Sequence, residues 1–194
     1  MIRLQSIKKE QMFYIETAKQ KVSELFWKYP EKEFSLSDIA KEAGVAKANL
    51  GVILALLERI GFLKIEKLKK IWRVKANQES WIFKRTKIVY NLNFIYNSGL
   101  SDFLISKYHP KSIILFGSFR KGEDNSNSDI DIAIESIMSK GHEIISLADL
   151  VSFEKDIGRK IQIHEFNSKN IDKNLFNNIA NGIILWGFLE VDKP

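Results

Sequence analysis

Residues 112–135, SIILFGSFRKGEDNSNSDIDIAIE, join an apolar run, a Gly-Ser pair and, ten residues further on, two aspartates separated by one isoleucine. Read as a strand of period two, the last part sends Asp129 and Asp131 to one face while Ile130, Ile132 and Ile134 enter a core. Two hard oxygen ligands then converge on one point. Such an arrangement suits Mg²⁺, which takes one or two carboxylates and completes its shell with substrate phosphates and water.

Ile113, Ile114, Leu115 and Phe116 read as a buried strand, and Gly117 and Ser118 as the turn that ends it. A helix starting at that turn would aim free N–H groups at phosphate. Residues 122–128, Gly-Glu-Asp-Asn-Ser-Asn-Ser, are polar and turn-forming, a short connection back to the strand that carries the aspartates. The expectation is a phosphate cradle facing a metal site.

Gly-Ser, ten residues and Asp-x-Asp resemble the signature of the nucleotidyltransferases related to DNA polymerase β, in particular the minimal nucleotidyltransferases. The resemblance covers residues 99–187, and residues 179–187 look like the closing helix, glycine turn and short strand of such domains. It implies two Mg²⁺ ions, a nucleoside triphosphate substrate and in-line attack on the α-phosphate with release of pyrophosphate. By position, Gly117 and Ser118 would hold the triphosphate, and Asp129 and Asp131 would bind metal. Lys121 falls where relatives often carry a basic residue near the phosphates, and it reads equally well as a solvated loop lysine.

Two positions depart from the family pattern. Phe119 follows Ser118 where many relatives have a basic or polar aromatic residue. Relatives also supply a third carboxylate after a Gly-Arg-Lys-hydrophobic segment; Gly158-Arg159-Lys160-Ile161 matches the segment, but Gln162 stands at the carboxylate position. An amide cannot act as a general base. In an unbroken strand His164 shares a face with Gln162 while Glu165 points the other way, toward the surface. His164 is therefore the better substitute, since an imidazole can accept a proton near neutral pH.

At 194 residues and 45% hydrophobic content the chain can build one large or two small cores. It has no cysteine, which excludes disulfides, cysteine-zinc sites and thiol catalysis. Residues 1–10 are charged and lack the apolar core of a signal peptide, and no run approaches a membrane span; a cytoplasmic protein is expected. The net charge of +6 is unevenly spread. Residues 1–98 hold 19 Lys and Arg against 10 Asp and Glu, a balance of +9, and residues 99–194 hold 11 against 14, a balance of −3. A cationic half beside a weakly acidic one fits a nucleic-acid-binding module joined to an enzyme-like domain.

Within the basic half, residues 11–29 show helical spacing, Ser35 to Gly44 reads as a capped helix stopped by glycine, and a further helix runs from about Ala46 to Ile60. Residues 62–66 and 70–74 alternate like two strands around a basic turn containing Lys67 and Lys69. Three helices and a β-ribbon resemble the winged helix-turn-helix family, which implies that the helix from Ala46 enters a major groove. Lys47 and Asn49 would then reach base edges, and Lys67, Lys69 and Lys70 would meet phosphates. Ala46, Ala48, Gly51 and Val52 beside them are small and poor in hydrogen-bonding capacity, and many winged helices bind protein instead. Apolar positions at helical spacing over residues 81–96 indicate a linking helix.

The expected architecture is a two-domain α+β or α/β chain: a winged helix over residues 1–78, a linking helix over 79–98 and a nucleotidyltransferase domain with a mixed sheet and flanking helices over 99–194. Two functions are expected from it. One is Mg²⁺-dependent transfer of a nucleotide, AMP from ATP, to a protein or small molecule; minimal relatives often act as antitoxins that modify a HEPN-type partner toxin. The other is DNA-binding regulation by a chain whose C-terminal domain binds nucleotide but has weak or lost transfer chemistry, for which Gln162 is the best support. A homodimer on a palindromic site is a further expectation, with no membrane partner.

Overall fold

The structure is a computed structural model and describes residues 17–69, 71–136, 139, 141–145 and 148–190. It divides into two compact units, one up to Tyr90 and the other from Asn91 onward.

In the first unit, α1 (Ala18–Lys28) begins where the Thr17 hydroxyl accepts from Gln20 N–H, and the strand β1 (Glu33–Phe34) follows it. Then Ser35 and Asp38 form a reciprocal capping box that starts α2 (Leu36–Glu42). Next come α3 (Lys47–Arg59), β2 (Leu63–Leu68) and β3 (Ile71–Ala76), and the three strands form an antiparallel sheet in the order β1-β3-β2. Val22, Phe26, Ile39, Leu54 and Val74 are fully buried in its core. Each such side chain contributes about 1.5–3 kcal/mol of burial. The helix expected from residue 11 is seen from Ala18, and residues 11–16 lie outside the described residues. Lys67 is corrected from turn to strand: pairing persists to Leu68 opposite Ile71, so Lys67 lies opposite Trp72, and Lys69, at φ +48°, supports a turn tight enough to allow it. Strand β1, two residues long, was not foreseen.

Helix α4 (Trp81–Asn97) runs through the boundary between the units. The second unit continues with α5 (Leu100–Tyr108), β4 (Ser112–Phe116), α6 (Gly117–Lys121), β5 (Ile130–Glu135), β6 (His142–Ile145), α7 (Leu150–Ile157), β7 (Ile161–Phe166), α8 (Lys173–Ala180) and β8 (Ile183–Gly187). The sheet order is β6-β7-β5-β4-β8; β5 and β7 are parallel and the other neighbours antiparallel, a mixed sheet with helices against it. Alternation along the strands separates two cores. Ile113, Leu115, Ile130, Ile132, Ile134, Ile161 and Ile163 pack with Ile95, Leu104 and Phe153 on one face. Ile114, Phe116, Ala133 and Phe166 pack with Ile179 of α8 on the other. By the same alternation Asp131, Gln162 and His164 belong to this second face. Among the described residues no helix is long and apolar enough to cross a membrane.

Candidate active site

The site lies at one end of the second face, where β4 turns into α6. The antiparallel register sets Phe116 opposite Asp131, so the chain leaving β4 passes beside the Asp131 carboxylate. Gly117 adopts φ +72°, and a Cβ built on it would overlap Asp131 Oδ2. Glycine is required there twice over, by the left-handed backbone and by the carboxylate against it. Ser118 follows, half-buried, within the five-residue helix, and Lys121 ends that helix exposed to solvent.

The loop from Gly122 to Asp129 is held by a buried carboxylate that the sequence presented as an ordinary turn residue. Asp124 is 1% exposed. Its Oδ1 accepts from Asn91 Nδ2 at 2.9 Å, and the same amide donates to Phe119 O at 2.8 Å. Arg159 Nη2 lies 3.4 Å from Asp124 Oδ2, and Arg159 Nη1 donates to Ser128 O at 3.4 Å. The arginine of the Gly-Arg-Lys segment thus ties both ends of the connection that delivers Asp129. A charge so buried is tolerated only with such partners.

Asp129 and Asp131 are both half-buried and have different neighbours. Gln162 lies beside Asp131 in the parallel β5–β7 ladder, and its Nε2 donates to Asp129 Oδ2 at 2.5 Å. His164, next along the same face, is 8% exposed, and its Nε2 stands 3.5 Å from Asp131 Oδ1. That is close enough for charge attraction, but Nε2 makes no hydrogen bond. On the other side of the ring, His164 Nδ1 is 3.0 Å from His142 Nε2, with the two imidazoles stacked at 18°, and Phe116 meets the ring edge-on with centroids 4.9 Å apart. Burial, and then the neighbouring His164, push His142 below the usual histidine range, which keeps it neutral at pH 7. Strand β7 pairs with β5 without a bulge, so Glu165 faces away from this cluster as expected, though it is half-buried rather than on the open surface.

Among the described residues no group of three His, Cys, Asp or Glu side chains forms a ready-made cage for a metal ion. Mg²⁺ at a phosphate site does not need one, since substrate oxygens and water fill most of its shell. The paired carboxylates beside the close Gly117 backbone supply hard oxygen donors of the kind that a divalent cation shared with a phosphate ligand takes.

The residues expected to bind DNA lie in the first unit. Lys47 opens α3 and donates from Nζ to Ser37 Oγ at 3.0 Å, and Asn49 is exposed one turn into the helix. Lys67 Nζ lies 4.3 Å from the Trp72 ring centroid, a cation-π contact, and Lys69 sits exposed at the hairpin tip. Lys70 lies outside the described residues. The structure therefore gathers Gly117, Asp129, Asp131, Gln162 and His164 into one cluster and leaves the lysines to α3 and the hairpin. His142 was missed because it comes from β6, an edge strand with no motif of its own.

Residues 99–187 match the family model described as polymerase beta, nucleotidyltransferase. A putative protein adenylyltransferase of Methanocaldococcus jannaschii is 38% identical over 61 residues, which are 31% of this chain and 61% of the relative. The chain thus spans about three fifths of the length of that curated relative. Among solved structures, TrmBL2, described as an archaeal chromatin protein with a novel mode of DNA binding, aligns with 91% of this chain and 70% of its own at 14% identity, with a TM-score of 0.29, too low to carry an argument. Residues 99–187, which hold every member of the Gly117, Asp129, Asp131, Gln162 and His164 cluster, therefore carry a nucleotidyltransferase domain of the polymerase β kind.

Proposed function

We propose that the protein is a divalent-metal-dependent nucleotidyltransferase that moves AMP from ATP to a hydroxyl group of a partner protein. The observation that carries this reading is the packing of the Asp131 carboxylate against the Gly117 backbone, which unites the phosphate turn and the metal ligands at one point. Asp129 and Asp131 would hold Mg²⁺, one ion or two, and the family match and the adenylyltransferase name of the relative favour AMP and a protein acceptor. When bound, the metal would offset the charge developing on the α-phosphate and the departing pyrophosphate.

The chain's own groups do the rest. Backbone N–H groups at Gly117 and Ser118 donate to triphosphate oxygens, and Lys121 adds a positive charge at the open edge. Gln162 holds Asp129 in place by its amide and takes no proton. His164 is the catalytic substitute for the missing third carboxylate, because its Nε2 is buried, unpartnered and turned toward Asp131. In the transfer, the acceptor oxygen loses its proton to solvent and forms a bond to the α-phosphorus, the bond from that phosphorus to the bridging oxygen breaks, and pyrophosphate leaves. We assign the partner to the HEPN-type toxins, with this chain as antitoxin in the cytoplasm.

For the first unit we propose a winged helix that binds DNA through Lys47, Asn49, Lys67, Lys69 and Lys70, as a homodimer. The succession of three helices and a β2–β3 hairpin supports it, as does the charge of +9 over residues 1–98. A second reading, a DNA-binding regulator whose nucleotide domain has lost transfer, is favoured by the Gln162 amide bonded to Asp129. ATP labelled at the α-phosphate separates the two. Incubated with the protein and a co-purified partner, it is expected to label the partner with the native chain and not with Asp129→Asn/Asp131→Asn. Nucleotide binding without any label transfer would select the regulator.

A further inference from the structure

We infer that the apolar pair at the tip of the β2–β3 hairpin, Leu68 and Ile71, is a wedge that enters the minor groove of duplex DNA, parts one base step and kinks the helix there. The inference rests on the DNA-binding reading of the first unit and names what the hairpin does to the duplex.

The alternation of side chains along the hairpin marks this pair as out of place. Val74 is fully buried, and Ile65 and Trp72 pack against the same core, so these residues define the inner face of the ribbon. The outer face then holds Lys64 opposite Lys75, Glu66 opposite Arg73 and, last before the turn, Leu68 opposite Ile71. The first two pairs are charged, as a solvent-facing row should be. The third is aliphatic, with Leu68 47% and Ile71 62% exposed. Strand β1 pairs with Val74 and Lys75, so the ribbon beyond Arg73 has no third strand beside it. A binary pattern that fails at such a tip is the kind of local violation that function imposes on a fold.

The charge around the tip decides the kind of partner. Residues 63–76 hold six Lys and Arg against one Glu. Arg73 engages Glu33 at 2.7 Å and Glu66 at 3.8 Å, so the carboxylates of this face are balanced within the sheet. Lys67 and Lys69 flank the aliphatic pair and Lys64 and Lys75 stand behind it, all exposed. Such a tip fits a polyanion with an apolar interior, which describes stacked bases behind their phosphates. An anionic lipid surface shares that chemistry but asks for more carbon. Two aliphatic side chains present about eight carbons, whereas a myristoyl chain, with about fourteen, gives only marginal membrane binding.

With α3 in a major groove, the neighbouring groove along the duplex is a minor one. Leu and Ile are among the side chains that enter base steps from that groove, unstack them in part and turn the duplex toward the major groove. Lys67 and Lys69 would hold the flanking phosphates, which position the protein without reading sequence. One apolar pair meets the duplex, so one step is parted, and the steps easiest to part are the flexible pyrimidine–purine ones.

The experiment compares the full-length protein on two labelled duplexes of about 24 base pairs, identical except that one carries a central two-base mismatch, already unstacked and cheap to kink. By fluorescence anisotropy the native chain is expected to bind the mismatched duplex about tenfold tighter, and Leu68→Ser/Ile71→Ser to bind the two within about twofold of each other. Both changes lie on the solvent face, and circular dichroism checks that the variant is folded. A native chain that binds both duplexes equally, or a folded variant that keeps the preference, overturns the wedge and leaves DNA binding in place. Native protein that shows no duplex preference but binds phosphatidylserine vesicles, with that binding lost in the variant, assigns the tip to a membrane and overturns the wedge as well. Native protein that binds neither duplex at low salt removes the DNA-binding reading itself, and the wedge with it.

Discussion

Gln162 donates its side-chain amide to Asp129 from the strand position beside Asp131, so Asp129 is held in place without a third carboxylate. Gln162→Glu should reverse that economy. In chelator the new carboxylate faces Asp129 and Asp131 with no compensating cation, and stability is expected to fall by about 1–3 kcal/mol, the usual cost of losing a charge-assisted bond. Mg²⁺ should restore it, since three carboxylates bind the ion better than two. Thermal unfolding with chelator and with Mg²⁺ checks this, and a variant equally stable in both would contradict the role given to Gln162.

Gly117→Ala places a methyl group against Asp131 Oδ2 at a φ of +72°. The left-handed backbone alone costs an L-residue about 1–2 kcal/mol. Displacement of Asp131 should also lower ATP affinity in the presence of divalent metal by more than about tenfold, since a shift of about 1.4 kcal/mol is tenfold. Calorimetry on Gly117→Ala and Ser118→Ala tests the order: the glycine variant is expected to lose more, because the serine change leaves the carboxylate where it is.

Asp124 and Arg159 form a buried pair, with side-chain exposures of 0% and 8%. Removing one member leaves the other charge buried, which typically costs about 3–5 kcal/mol. Arg159→Ala is therefore expected to destabilise the second unit by that order and to release the loop carrying Asp129. Denaturant unfolding measures the first effect. A cost under about 1 kcal/mol would mean that water reaches Asp124 and that the loop is not clamped.

In the first unit the Ser35 hydroxyl, then the Ser35 backbone N–H, lower the Asp38 carboxyl below its ordinary range through the capping box. A carboxyl lowered on folding binds its proton less readily in the native state. Its contribution is therefore complete above the unfolded value near 3.8 and is lost as pH falls through the lower, folded value. Carboxyl-carbon NMR should show Asp38 titrating below an ordinary aspartate, with the midpoint returning upward in Ser35→Ala. No difference between the two proteins would remove the hydroxyl as the cause.

Local periodicity made much of this fold legible. The alternation of Ile130, Ile132 and Ile134 with the aspartates identified β5 and its two faces, and the same rule put Gln162 and His164 on one side of β7 before any geometry was known. Glycine after an apolar run announced α6, and Ser35 and Gly44 bracketed α2. What stayed hidden depends on contacts distant in sequence. Asp124 looks like a loop residue until Asn91 and Arg159, each more than thirty positions away, converge on it. His142 gains meaning only because β6 pairs antiparallel with β7 and lays its ring on His164. Lys67 passed for a turn residue because charge marks loops by composition, whereas the tightness of the hairpin, set by backbone pairing to Leu68 and Ile71, decided its place.

ATP binding by calorimetry, with and without Mg²⁺ or Mn²⁺, tests the central claim most directly when the native chain is compared with Asp129→Asn/Asp131→Asn. The account requires metal-dependent binding in the native protein that disappears in the doubly substituted one while its fold persists by circular dichroism. Native protein that binds no common nucleoside triphosphate with either cation, or a folded double variant that binds ATP and metal as tightly as the native chain, would contradict it.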